Sequence, residues 1–167
     1  MLAAGLLILG VISRLIVHLP NFTPVIALAL FGGVYLKKRQ AVILPVLMMV
    51  ISDLFIGVDN TFPFTWGSVA LIALLGLYVR ERKNLPTIAG SSLFASVLFF
   101  LLTNFGVWLV SGMYPRSIAG LQQCFILAIP FFNSTLVSTV VYTAVLFGGY
   151  EWAAARLRKT RLAHVVL

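Results

Sequence analysis

Residues 23–39 read TPVIALALFGGVYLKKR, an uncharged and mainly apolar run that ends directly in three cations. The same pattern occurs twice more, where cations within residues 80–83 and 156–161 follow apolar runs. These three clusters hold ten of the twelve lysines and arginines. Because cytoplasmic loops of membrane proteins carry the excess of positive charge, the clusters indicate three cytoplasmic segments rather than a patch for nucleic acid or a specific lipid.

The composition of the 167 residues excludes a water-soluble globule. The chain is 61% hydrophobic and 10% charged, whereas soluble domains have about a quarter of their residues charged. At about 20 residues per membrane crossing, six helices use roughly 120 residues and leave only short loops. We therefore expect a single all-α domain over residues 1–167, a polytopic bundle of six transmembrane helices.

Prolines, glycines and polar turns between the apolar runs predict where the helices end. The expected helices cover about 2–17, 23–36, 41–57, 64–79, 86–110 and 121–152. An even number of crossings places both the N and the C terminus in the cytoplasm with the cationic loops. The apolar start has no basic segment before it, so we expect it to be retained as the first helix and not removed as a signal peptide.

The sequence contains few residues in patterns typical of metal sites or enzyme active sites. A single cysteine, Cys124, excludes an intramolecular disulfide and a cysteine-only metal cage. His18 would have to meet Cys124 or Asp59 by tertiary folding to bind a metal, so we expect no metal site and no cofactor. The motifs HExxH and GxSxG and a phosphate-binding Gly-Lys-Ser/Thr loop do not occur. We expect a protein that is not an enzyme and that cannot power transport by itself.

Polar side chains collect instead near the exterior ends of the predicted helices, while the cytoplasmic halves are mainly apolar. Polar groups persist within membrane helices when they meet one another, water or a ligand. We therefore predict an exterior-facing pocket for a small molecule, lined by His18, Asn21, Asp53, Trp66, Asn104, Trp108 and Tyr114. With only Arg14 and Arg116 as cations on that side, the pocket suits an uncharged or zwitterionic ring-containing molecule better than a strong anion.

Arg14 and Asp53 have opposite charges and lie at matching depth, about 6 Å inside the exterior ends of the first and third helices. An ion pair between them would offset part of the cost of burying each charge. Such a pair either lines the pocket or only stabilises the fold, and the alternative is that both side chains reach separately to the interface.

Asn104 and Trp108 are four residues apart and share one face of the fifth helix. An indole for stacking and an amide for orientation would suit a ligand, but an interhelical hydrogen bond and an interfacial aromatic belt explain them equally well. Trp66 and Tyr114, taken alone, fit the aromatic belt.

Several stretches carry a resemblance that covers nearly the whole chain. They are HLPNFTP at residues 18–24, ALALFGG at 27–33, SDL at 52–54, TNFGVW at 103–108, YP at 114–115 and AIPFF at 128–132. Together they resemble a family of small bacterial membrane proteins described as transport proteins of unknown function. That family is similar in size and topology to the S-components of energy-coupling-factor (ECF) transporters, six-helix proteins that capture vitamins or deliver metals and are energised by a separate module.

The resemblance implies a substrate-binding membrane subunit for uptake of a vitamin or other small micronutrient, located in the bacterial inner (cytoplasmic) membrane. Its implied partners are a small-molecule substrate, membrane lipid and an ECF energising module of two ATPases and a scaffold subunit, with no nucleic acid. The alternative is a non-transporting scaffold of an envelope or cell-shape assembly complex, whose polar residues would face lipid headgroups or a protein partner.

Overall fold

The computed structural model describes residues 2–16 and 20–157. In these ranges the chain forms six α-helices and no strand. The helices are Leu2–Ile16 (α1), Val25–Tyr35 (α2), Lys38–Ile56 (α3), Phe62–Val79 (α4), Leu85–Val110 (α5) and Ile118–Leu157 (α6), with a 3₁₀ turn at Arg80–Arg82 between α4 and α5. The predicted all-α class is confirmed for the part of the chain that the structure describes.

Some helix ends differ from the predicted ones for local physical reasons. α2 begins at Val25 and not at residue 23, because Pro24 disfavours the helical conformation for the residue before it. α3 begins at Lys38 and takes cations of the first cluster into its first turn. α6 continues to Leu157, since the alanine-rich stretch at 153–155 favours helix and contains neither glycine nor proline.

Four of the six helices are long and apolar enough to cross a bilayer: α3, α4 with the turn after it, α5 and α6. α1 and α2 are apolar but shorter. Large apolar side chains cover the outside of the bundle, and Leu54 and Phe55, for example, are each 72% exposed. Such an extensive exposed apolar surface is typical of a membrane protein and not of a soluble monomer.

α2 lies at the centre of the bundle. It contacts all five other helices, and every residue from Val25 to Val34 is buried. A helix that is hydrophobic on all sides is expected in such a position. Its 11 residues span about 16 Å, which is roughly half of the 30 Å thickness of a bilayer core.

The backbones of α2 and α4 touch where the two helices cross at Gly33 and Gly76. A Cβ atom on Gly33 would lie 2.5 Å from the Gly76 Cα and would also collide with the Ala73 carbonyl oxygen. Small residues at such crossings allow membrane helices to approach closely. The spacing of Ala29 and Gly33 predicts close helix packing, and the structure places α4 against Gly33.

The C-terminal end of α2 is capped by a side chain from another segment. Arg80 donates from Nη2 to the Gly33 carbonyl oxygen at 2.6 Å and also to that of Leu36. Carbonyl groups in the last turn of a helix lack partners within it, and a cation there complements the helix dipole. Tyr35, in the same turn, donates to Glu151 Oε1 of α6 at 2.5 Å. Arg80 therefore satisfies two carbonyl groups at this end of α2, and Tyr35 joins the same turn to α6.

We predict that Gly33→Ala destabilises the bundle, because the added methyl group would meet backbone atoms that cannot move without separating α2 from α4. Overpacking of this kind costs about 1–3 kcal/mol. The measurement is the Tm of the detergent-solubilised protein. Gly32→Ala is the matched control, since its Cβ would first meet Leu36 Cδ1 at an ordinary distance of 3.5 Å. Equal Tm values for the two variants would contradict the close crossing.

Candidate functional site

A cavity of about 320 Å³ lies at the N-terminal end of α2, and residues from all six helices line it. One wall carries aromatic rings from α5 and α6, Phe100 and Phe132 among them, with ring centroids 4.6 Å apart. The polar part of the lining consists of one arginine, two asparagines and five threonines: Arg14, Asn21, Asn104, Thr23, Thr61, Thr65, Thr103 and Thr135.

The short length of α2 explains why the cavity is there. α2 begins at Val25, after a non-helical segment at residues 20–24. The first bond of the helix runs from Leu28 N–H to the Pro24 carbonyl oxygen at 2.8 Å, so the amides of residues 25–27 have no acceptor within the helix. No described side chain caps this end. The positive end of the α2 dipole therefore lies at the cavity.

Arg14 is held at the cavity wall by partners on α3. Its Nη2 lies 2.7 Å from Asp53 Oδ1, and its Nη1 donates to Ser52 Oγ at 2.7 Å and to the Met49 sulfur at 2.9 Å. The Trp66 indole of α4 donates to Asp53 Oδ2 at 2.7 Å. The side chains of Arg14 and Asp53 are 16% and 11% exposed. Both charges are thus paired and largely removed from solvent, and their network joins α1, α3 and α4.

A family model matches residues 1–162 of the chain. The chain belongs to this family, DUF6580, a family of unknown function. No curated protein and no solved structure shows a significant match. The matched range includes every residue that lines the cavity.

The structure of this DUF6580 protein brings part of the predicted site to the cavity. Asn21 and Asn104 line it, and the Asn104 amide donates to the Phe100 carbonyl oxygen at 2.8 Å within α5. Asp53 and Trp66 are not on the wall. They lie behind it, because Asp53 pairs with Arg14 and the Trp66 indole donates to Asp53.

Other predicted residues lie away from the cavity. The Trp108 indole donates to the Pro115 carbonyl oxygen at 3.0 Å, in the loop that follows α5. Tyr114 is half-buried in the same loop and is not part of the lining. His18 falls outside the described residues.

The predicted site did not include the threonines and phenylalanines that form much of the wall. Thr135 donates to the Phe131 carbonyl oxygen at 3.0 Å and is only 6% exposed. The sequence does contain a signal for this residue, since residues 133–139 read NSTLVST and concentrate polar side chains within α6. The phenylalanines have no such signal, since the chain has 13 of them and most positions could face either lipid or the cavity.

The described residues include no cluster of three or more His, Cys, Asp or Glu side chains that could hold a metal ion. Cys124 of α6 is buried, and its thiol lies 3.4 Å from the Asn104 carbonyl oxygen. The thiol is therefore a packing contact between α6 and α5 beside the cavity.

Removal of one member of the Arg14–Asp53 pair should cost more stability than removal of both. The remaining charge would be buried without a partner, which typically costs about 3–5 kcal/mol. Thermal unfolding in detergent of Arg14→Ala, Asp53→Ala and the double variant measures this difference. We expect the double variant to be more stable than either single variant. A double variant that loses as much stability as the two single variants together would show that the pair contributes no coupling energy.

Proposed function

We propose that this DUF6580 protein is the substrate-binding membrane subunit of an importer, similar to the S-components of ECF transporters, and takes up a vitamin or another small micronutrient. The cavity is the observation that supports this function, because all six helices line it and polar side chains of α1, α4, α5 and α6 converge on it. Ligand sites in proteins combine apolar and aromatic walls with a few convergent polar groups, and their volumes begin at about 300 Å³. A scaffold subunit has no need for such a cavity.

The proposed topology has six crossings of the bacterial inner membrane, with both termini in the cytoplasm. The cation clusters support it, since they follow α2, α4 and α6, whereas Arg14 and Arg116 are the only cations near the opposite ends. α2 does not need to span the bilayer by itself. Irregular backbone is tolerated at membrane depth where it lines a cavity, and the segment at residues 20–24 does so through Asn21 and Thr23.

The lining indicates the kind of ligand. The phenylalanines of α5 and α6 suit a flat ring, and the threonine hydroxyls and asparagine amides can both donate and accept hydrogen bonds. Asp53 neutralises Arg14, so this pair adds no net charge to the site. We therefore propose an uncharged or zwitterionic ring-containing ligand. The energy for uptake comes from a separate ATPase module, because the chain has no nucleotide-binding loop of its own.

The topology predicts that two loop positions react with a membrane-impermeant maleimide from opposite sides. Lys37, before α3, and Asn60, before α4, are both exposed. In a Cys124→Ser background, Asn60→Cys should react in intact spheroplasts and Lys37→Cys only in inside-out vesicles. Labelling of both positions from the same side would reject the six-crossing arrangement.

The site predicts that Asn104→Leu reduces the amount of small molecule that co-purifies with the protein by at least about tenfold, which is equivalent to 1.4 kcal/mol of binding. Mass spectrometry of the molecules released from detergent-extracted protein measures this. Asn133→Leu is the matched control, because it makes the same substitution at an exposed position of α6 that does not line the cavity. If wild type and both variants retain the same molecules in equal amounts, the cavity is not the binding site and the scaffold function becomes the better explanation.

A further inference from the structure

A row of threonines continues from the cavity along one face of α6. Thr135, Thr139 and Thr143 follow one another at intervals of four residues, which places them on the same face of the helix. They are 6%, 1% and 6% exposed. Thr135 lines the cavity. The other two lie progressively closer to the end of α6 that leads into the third cation cluster.

Two of these hydroxyl groups have no hydrogen-bond partner among the described residues, namely Thr139 Oγ1 and Thr143 Oγ1. Thr135 behaves differently, since it donates to the carbonyl oxygen one turn before it. Ser138 also has a partner, the Thr135 carbonyl oxygen at 2.9 Å. Buried polar groups in proteins are almost always paired, so two unpartnered hydroxyls in succession require an explanation such as water or a bound molecule.

α5 carries two buried serines, Ser92 and Ser96, and each donates to a carbonyl oxygen of its own helix. The Cys124 thiol beside the Asn104 carbonyl oxygen and the packing of Phe100 against Phe132 align the antiparallel helices α5 and α6. Counted along the helices from these contacts, Ser96 lies near the level of Thr135 and Ser92 near the level of Thr139. α5 and α6 contact each other, and both contact α2. We call Ser92, Thr139 and Thr143 the inner hydroxyl row.

Packed aromatic rings follow the row towards the cytoplasmic end. The next position on the same face of α6 is Phe147, whose ring packs edge-on against Phe31 of α2 with centroids 5.2 Å apart. Tyr150 packs against Tyr35 with centroids 4.3 Å apart. In this structure the row is therefore closed on the cytoplasmic side by contacts between α2 and α6.

We propose that the inner hydroxyl row is the cytoplasmic part of a transport path, a passage that opens along α6 beside α2 and α5 and connects the cavity to the cytoplasm. The proposal rests on the proposed function and adds a route of release through the chain itself. Hydroxyl groups both donate and accept hydrogen bonds, so they can replace the water shell of a small polar, uncharged or zwitterionic cargo step by step. Water or cargo would then satisfy Thr139 and Thr143 when the passage is open.

The first test measures access of water to the row from the cytoplasmic side. In a Cys124→Ser background, Thr139→Cys and Thr143→Cys are treated with a charged methanethiosulfonate in inside-out vesicles. Val69→Cys is the matched control, because valine has the shape of threonine and Val69 is fully buried in the core on α4. We expect both row positions to react at least tenfold faster than the control, and Thr143→Cys to react fastest. Equal rates at all three positions would overturn the proposal.

The second test distinguishes a passage from a purely structural role. Thr139→Val with Thr143→Val removes two unpartnered hydroxyls without a change in shape, so the Tm should stay the same or rise. Thr135→Val breaks an existing bond and should lower the Tm. A decrease in Tm for the Thr139/Thr143 variant would show that these hydroxyls stabilise the resting fold, and the proposal would fail.

The two proposals fail in different ways. If the row positions label slowly and Asn104→Leu loses a ligand that the wild type retains, the passage is rejected and the binding site remains supported. Fast labelling of the row without any retained ligand would support the passage as a water-accessible path and reject the binding site as assigned.

Discussion

The two ends of α2 impose the main constraint on this bundle. α2 is about half as long as a bilayer core is thick, and the five other helices enclose it on all sides. Its terminal amides and carbonyls are therefore shielded from bulk water and lipid headgroups. The protein has to supply their hydrogen-bond partners or form a cavity that does so. The C-terminal carbonyls receive hydrogen bonds from Arg80. The N-terminal amides receive no side-chain cap, and the cavity is found there. The site therefore lies where the central helix is left incomplete.

α4 connects these two ends of α2. Its backbone contact with α2 at Gly33 and Gly76 fixes how the two helices lie against each other. With α4 held there, Arg80 at its C-terminal end reaches the last turn of α2. Trp66, near its other end, bonds to Asp53, which in turn pairs with Arg14 at the cavity. A change at the crossing would therefore affect the cap and the site together. The cap contacts Gly33 through one hydrogen bond from Arg80, and the site is connected to Gly33 only through α4.

The features that were predictable from the sequence follow from strong one-dimensional signals. Cation clusters after apolar runs indicate helix ends, and opposite charges at matching depth indicate that Arg14 and Asp53 lie near each other, because an unpaired charge in a membrane helix is costly. The rotation of each helix has no such signal. Trp66 was therefore expected on the cavity wall, whereas the structure shows its indole bonded to Asp53. Ser52 was not expected at all, since a serine in a helix is usually satisfied by its own backbone.

Most polar side chains of the cavity wall have partners within the protein, whereas two buried threonines beyond it have none among the described residues. Around the cavity, Arg14, Asn104 and Thr135 each bond to protein atoms, so these polar groups of the wall are held in place by the protein itself. In the inner half, Thr139 and Thr143 are buried without partners, while aromatic packing between α2 and α6 closes the way beyond them. Opening the inner half would hydrate these hydroxyls and separate the rings. In the proposed transport path these two effects would oppose each other, and such a balance would favour the closed arrangement at rest while the open one stays accessible as a minor state.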